Sequence, residues 1–222
     1  MGSLSEIRQL IASTGSVRPQ EIGKPLELPV GFRTDWKASH IGSMIYKYLR
    51  GRRLSKKIIQ SYQIGFVARG DLCGAAIFPV YLNSELRFWQ ARYVVFLKRG
   101  QKYFGTPGIH SHDFLYRYDK ITTENITLVE GVFDAISVGG IGIFGKVISD
   151  TQIALLSKKK IKFVDVLLDG EASDDAEQIA ARLRSKLWTL KRVKVIYLPL
   201  KKDPSNFKGD VRSLPQNILV YT

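Results

Sequence analysis

From Ile126 onward, short apolar runs alternate with amphipathic stretches: ITLV, VFDAISV, IGIF, SDTQIALL, FVDVLL, a long helical pattern, then VKVIYL. Apolar runs separated by helix-length segments predict a parallel sheet with crossover helices. The long helix, about Ser173 to Leu190, is the best defined. Ala176, Ile179, Ala180, Leu183 and Leu187 fall on one stripe, while Glu177, Arg182, Arg184 and Lys186 face outward. An open sheet of this kind takes its ligands at the carboxyl ends of its strands, so the residues that follow each strand carry the functional question.

Three of those ends are acidic. Glu130 follows ITLV, Asp169 and Glu171 follow FVDVLL in LLDGEASDDA, and Asp203 lies just beyond VKVIYLPL in LKKDPSNF. The first of these, in LVEGVFDAIS, is joined four residues on by Asp134. Residues at i and i+2 of the DGE triplet can point the same way if the chain stays extended, and Gly170 between them permits an unusual turn. Acids near helix starts also complement the macrodipole and cap free amides, which accounts for Asp134, Asp174 or Asp175 taken singly. Three strand ends together are harder to explain that way. Crowded carboxylates repel one another unless a hard divalent cation sits among them, and an all-oxygen set suits magnesium or manganese.

The upstream half has a different period. Residues 1 to 38 carry Gly, Pro and Ser breaks and read as an arm or linker. Ser39 is placed to cap a helix running to about Arg50, and Ser55 a second one through Tyr62. AAIFPVYL and LRFWQARYVVF then read as strands joined by the turn NSE, with Pro79 marking an edge or a bulge.

The chain has 34 lysines and arginines against 20 acids in 222 residues, a formal charge of +14, so its natural partner is a polyanion. The basic residues cluster in YLRGRRLSKK, in RFWQARY, in FLKRGQKYF and in SKKKIK, and the second and third clusters are interleaved with aromatics. A surface that grips single strands by phosphate and base face has that composition. A hydrophobic content of 45% is enough for a packed core. No apolar run is long enough to span a bilayer and the N-terminus lacks a signal-peptide pattern, so no membrane partner and a cytoplasmic location are expected.

Several other patterns lead nowhere in context. The single cysteine, Cys73, can form no internal disulfide and no zinc ribbon, so no zinc is expected and a small core residue is. His110 and His112 lie in HSH beside Asp113 and read as a polar loop. GIGIFGKV, Gly140 to Val147, matches both the dinucleotide glycine fingerprint and a phosphate loop up to Lys146. Val147 stands where the phosphate loop needs Ser or Thr, and IGIF is itself the apolar run rather than a loop after one.

Taken together, VEGVFDA, LLDGEASDDA and LPLKKDP resemble the Toprim domain, and among Toprim proteins the DnaG-type primases of bacteria and phages. The resemblance extends upstream through YLRGRRLSKKIIQSYQIGF, the FP-containing strand AAIFPVYL and the loop QKYFGTP, over roughly residues 45 to 210. It implies an α/β chain: a linker arm over 1–38, a basic α+β N-terminal subdomain over 39–123, and a Toprim-like, Rossmann-type domain with a mostly parallel sheet over 124–222. The implied activity is DNA-templated synthesis of short RNA primers from nucleoside triphosphates. The resemblance places Glu130 at the catalytic centre, Asp169 and Glu171 on magnesium or manganese, and Asp134 and Asp203 beside them. Arg92, Lys98, Arg99 and Lys102 are the candidates for holding triphosphate, primer or single-stranded template, with Arg50, Arg52 and Arg53 extending that track. Glu171 replaces the usual Asp, Ser205 stands where another acid is usual, and Ala75 stands where arginine is common. The zinc-binding and helicase-binding parts of full-length primases have no counterpart here, so those roles are expected either from other chains, a separate zinc-binding protein and a replicative helicase, or to be absent. A short form of this kind suits a phage, plasmid or mobile-element gene. A Toprim-type nuclease using the same acids, and a non-catalytic nucleic-acid-binding module, remain as alternatives.

The charge yields a direct expectation. Affinity for a single-stranded oligonucleotide, titrated at several salt concentrations, falls log-linearly with salt with a slope of about −0.7 per phosphate held. A salt-independent affinity would remove the basic surface from binding.

Overall fold

The computed structural model describes residues 26–95, 102–205 and 215–220, the last strand by its backbone alone. It contains two five-stranded sheets that meet across a shared core.

The first sheet is antiparallel, in the order β1 (Phe32–Arg33), β2 (Gly65–Val67), β3 (Ala75–Leu82), β4 (Glu85–Tyr93) and β5 (Tyr103–Gly105). Two helices precede β2: α1 (His40–Gly51) and α2 (Lys56–Ser61). Both start at the serines expected to cap them. Ser39 Oγ accepts from the Gly42 amide at 2.9 Å and Ser55 Oγ from the Ile58 amide at 3.1 Å, each satisfying a donor that the first helical turn leaves free. The β3–β4 hairpin turns at Asn83 and Ser84, with φ of 55° and 66°. Two left-handed residues in a row match the twist of a tight hairpin. The Asp119 carboxylate accepts both turn amides at 2.8 Å, holding a conformation that Asn83 tolerates and Ser84 disfavours.

Pro79 lies in an interior strand rather than at an edge. It is tolerated there because β2 pairs with β3 only as far as Ile77, so no neighbour on that side needs its missing N–H. A register shift follows at Val80/Tyr81, as the proline suggested. Within the stretch expected to be a linker, Phe32 and Arg33 pair with β2, and Trp36 stacks on Phe66 at 4.9 Å. The rest of that stretch, up to residue 25, lies outside the described residues. Cys73 is half-buried in a turn, its thiol against the Ala68 carbonyl at 3.1 Å.

The second sheet holds β6 (Asn125–Val129), β7 (Ile141–Gly142), β8 (Phe163–Val166), β9 (Arg192–Ile196) and β10 (Gln216–Val220), in the order β10-β9-β8-β6-β7. All neighbours are parallel except β10 on β9. Helices α3 (Val132–Val138), α4 (Asp150–Ser157) and α5 (Ser173–Lys186) connect them, as the alternation of periods requires. Helix α5 buries the expected stripe. It stops before the predicted Leu190 because Leu187 turns extended, which lets Leu187 and Leu190 both enter the core. Among the described residues no helix is long and apolar enough to cross a membrane.

One face of the parallel sheet carries a core of its own, built on Leu128, Val164, Val166, Leu183 and Val193. The other face shares a core with the first sheet, in which Val129, Phe133, Leu167 and Leu198 pack with Ile45, Leu49, Phe78 and Phe88. This second core fixes the basic upstream sheet against the carboxyl ends of β6, β8 and β9.

Two of those ends are locked together at Gly170. Its amide donates to the Lys202 carbonyl at 2.9 Å, and a Cβ there would lie 2.1 Å from the Pro199 carbonyl oxygen. Glycine is required at this point for close approach, whereas the sequence suggested a need for backbone freedom; its φ is not left-handed. Gly170→Ala is expected to cost about 2 kcal/mol or more, in the range of overpacked cores, read as a lowered denaturant midpoint. An unchanged midpoint would mean that this junction carries no stability.

Candidate active site

Three acids reach the site by the same route, on the residue or short loop that follows a parallel strand. Glu130 is the first residue after β6, Asp169 is three residues past β8, and Asp203 is seven past β9. Asp134 comes from the first turn of α3, which Gly131 begins. Glu130, Asp134, Asp169 and Asp203 all line one cleft of about 320 Å³, together with Arg52, Gln90, Tyr103 and Ser205. Its walls therefore come from both sheets. Phe144 and Gly145, from the loop after β7, close one side.

The cleft's electrostatics follow from burial and crowding. Glu130 Oε2 and Asp169 Oδ1 are buried and have no hydrogen-bond partner among the described residues. Burial, then the Asp169 carboxylate, raises the pKa of Glu130; burial, then Asp203, raises that of Asp169. Asp134 is pushed up to about 7, first by burial and then by Asp169 and Asp203, against two amides that pull the other way. Those amides are Gly131 N–H and Ser205 N–H, each donating at 3.2 Å. The carboxylate thus caps its own helix and clamps the chain after β9. Ser205 Oγ donates to Asp203 at 2.6 Å and accepts from Arg52 Nη1 at 3.3 Å. The guanidinium of Arg52 also lies 4.7 Å over the Phe133 ring, a contact on the order of 1 kcal/mol. Arg52 is therefore held with its charge at the acids' edge.

The structure does not bring Glu171 to this wall. The segment turns at Gly170, and the exposed Glu171 carboxylate accepts the Lys201 amide at 2.8 Å instead. Its charge still acts on Asp169. Among the described residues no three acidic, histidine or cysteine side chains are already gathered as a ligand set. The oxygen-only donors and the two orphaned carboxylate atoms nonetheless fit a hard cation.

The basic residues divide. Arg52 lines the cleft, and Arg92 lies 4.6 Å over the ring of Tyr103, itself a lining residue. Arg50, in the last turn of α1, and Arg53, in the turn after it, are exposed, and Arg50 Nη1 donates to the Leu54 carbonyl at 3.1 Å. Lys102 is exposed at the start of β5. Lys98 and Arg99 lie outside the described residues. Gln90, Tyr103, Phe144 and Ser205 were not named from the sequence as site residues. Only Tyr103 and Ser205 carried a signal, in the QKYF loop and beyond LKKDP.

The glycine-rich segment is explained by packing. A Cβ at Gly140 would meet the Thr127 carbonyl at 2.7 Å, and one at Gly142 would meet Tyr116 Cβ at 3.1 Å. His112 belongs to a short helical turn, Ser111–Asp113, whose His112 carbonyl accepts from Ser149 Oγ at 2.5 Å.

No family model matches the chain, and no curated protein does. Solved structures do. A DnaG primase catalytic domain bound to single-stranded DNA aligns over 79% of this chain and 70% of its own, with TM-score 0.65 and 17% identity. The E. coli primase catalytic core aligns over 76% and 69%, with TM-score 0.62 and 18% identity. A DNA primase domain from Pseudomonas aeruginosa aligns over 77% and 68%, with TM-score 0.61 and 20% identity. The fold of this chain is that of the DnaG primase catalytic core, an antiparallel sheet joined to a mostly parallel one.

Asp134 makes stability depend on pH. Its folded value lies above the ordinary 3.8, so between about pH 4 and 7 the folded chain keeps a proton that the unfolded chain has lost, and stability falls as pH rises. With divalent ions chelated, native protein is expected to lose up to about 4 kcal/mol more across that window than Asp134→Asn, at ~1.4 kcal/mol per pH unit. Equal pH slopes in the two unfolding series would contradict the assignment.

Proposed function

We propose that this chain is the catalytic core of a DNA primase, which joins ribonucleoside triphosphates on a single-stranded DNA template into short RNA primers. The observation that carries the reading is the convergence of Glu130, Asp134, Asp169 and Asp203 on one cleft that Arg52 and Tyr103 also line, within a primase-core fold. In this reading residues 39–123 form the basic subdomain and 124–222 the Toprim domain, and residues 1–38 lead into them.

Glu130 and Asp169 would hold a magnesium or manganese ion, flanked by Asp134 and Asp203, with Glu171 adding negative charge from beside Asp169. Such an ion brings mutually repelling phosphates together, activates the primer 3′-hydroxyl and stabilises the pyrophosphate leaving group. The chain's own residues do the rest. Glu130 and Asp169 leave an oxygen each without a protein partner, so accepting a cation breaks no hydrogen bond. Arg52 offers its guanidinium to phosphate or template backbone from a fixed position, and Tyr103 under Arg92 presents a flat face of the kind on which bases stack. Lys102 and the exposed Arg50 and Arg53 extend the positive charge outward, and Lys98 and Arg99 belong to the basic FLKRGQKYF segment of the sequence. The single-stranded DNA held by one of the similar structures supports a template of that class here.

One observation favours a rival. Glu171 is engaged with the Lys201 amide and stands off the cleft wall, as it would in a module that binds nucleic acid without catalysis. Synthesis decides between them. With manganese or magnesium, all four ribonucleotides and a single-stranded template, native protein is expected to make short RNA, and Glu130→Gln and Asp169→Asn each to lower the rate by at least about 100-fold, the scale of losing a metal-held transition-state contact. Undiminished synthesis in both variants would take these acids out of the reaction, and no synthesis by native protein would leave the binding module.

A further inference from the structure

Lys146 follows two residues that wall the acidic cleft, and the chain is bent to put it there. Phe144 sits at φ 62° and Gly145 at φ 155°. A left-handed phenylalanine costs on the order of 1 kcal/mol and persists only where its surroundings hold it. Its ring is gripped edge-on by Phe88 at 5.5 Å and by Tyr116 at 6.3 Å. The Gly145 amide then donates to the carbonyl of Glu130 at 3.2 Å, tying this loop to the backbone of the central acid. A Cβ at Gly145 would lie 3.3 Å from the His112 ring, so the loop hugs that turn as well. At Ile148 the chain re-enters the core. Lys146 and Val147 are the exposed pair between these anchors.

The lysine's charge acts on the site. It pulls the pKa values of Glu130 and Asp169 down against the burial and repulsion that raise them. Yet among the described residues it belongs to no ion pair. An exposed ammonium in electrostatic reach of two acids, locked to neither, remains able to meet an incoming anion.

We propose that Lys146 is a phosphate-binding residue of this cleft, its ammonium taking an oxygen of the substrate triphosphate and, without substrate, serving as the chain's own counter-charge to Glu130 and Asp169. The identity of the triphosphate rests on the primer-synthesis reading; the lysine's place beside the acids does not. The need is plain, since among the described residues four carboxylates line the cleft against one arginine, and a triphosphate entering it would be repelled. Lys146 does this without the amide cradle and following hydroxyl of a phosphate loop, as a point charge on a flexible stem.

A residue with both duties has opposite effects on two ligands. It competes with a divalent cation for the acids and helps to bind the triphosphate. Calorimetry on the full chain, with manganese alone and then with manganese and ATP, separates the two. Lys146→Gln is expected to tighten manganese by roughly 3- to 10-fold, from one like charge removed at partly screened distance, and to weaken ATP by about 10-fold or more through a lost charge-assisted contact. Lys146→Arg keeps both affinities within about 3-fold, because it keeps the charge. Glutamine leaving both affinities unchanged, or weakening both, overturns the lysine's role. Native protein that fails to bind manganese and ATP overturns this proposal and the primer reading together. Binding that depends on Lys146 in a protein that makes no primer sustains the lysine's role and defeats the polymerase reading alone.

Discussion

The structure depends on a repulsion that it does not relieve. Three parallel strands deliver Glu130, Asp169 and Asp203 to one edge, α3 adds Asp134, and burial raises the cost of charging them. A fold evolved for stability alone would disperse these groups or cover them with amides and guanidinium groups. Asp134 is covered in that way, by two backbone donors. The buried oxygens of Glu130 and Asp169 are not. The difference separates an acid that organises the cleft from acids left available to a ligand, and it follows from hydrogen-bond accounting rather than from analogy.

The surrounding elements keep that arrangement from relaxing. Gly170 lets the chain after β8 press against the chain after β9, so Asp169 and Asp203 cannot drift apart. Ser205 ties Asp203, Asp134 and Arg52 together through one residue. Where an acid is usual in the primases this chain resembles, the serine supplies a donor and an acceptor in place of a further negative charge. The site thereby has one repulsion fewer, and Arg52 gains a neutral partner. That leaves most of the guanidinium's hydrogen-bonding capacity free for phosphate.

Much of this was legible in the sequence, and the parts that were not share a cause. Hydrophobic periodicity gives the parallel sheet, the stripe on α5 and the strand-end acids because these depend on local spacing. Ser39 and Ser55 are legible as caps for the same reason. The roles of Gly170, Gly140 and Gly142 are not legible because what they avoid is a carbonyl or side chain brought close by folding, Pro199 for the first and Thr127 and Tyr116 for the others. Glu171 is misread because an extended triplet was assumed where the chain turns, and one turned residue sends its side chain to a different partner. Pro79 is half-read: the bulge is local and was seen, while its interior position depends on where β2 happens to end. Close approach and the direction of a side chain at a turn are properties of two segments at once, and a single sequence window holds only one of them.

The glycine-rich segment shows how a failed motif can still hold information. Its glycines serve packing and its lysine has no hydroxyl partner, so the phosphate-loop reading fails on each of its own terms. Stripped of the motif, what remains is a backbone bent at Phe144 and Gly145, bonded to the carbonyl of Glu130, with a lysine at the next position. That geometry brings a positive charge on a flexible stem within electrostatic reach of Glu130 and Asp169. At the acids' edge Arg52 is fixed by Phe133 and Ser205. A fixed cation and a flexible one near the same acids suit an anionic ligand whose charge must be carried past carboxylates, since only the flexible partner can follow it as it moves.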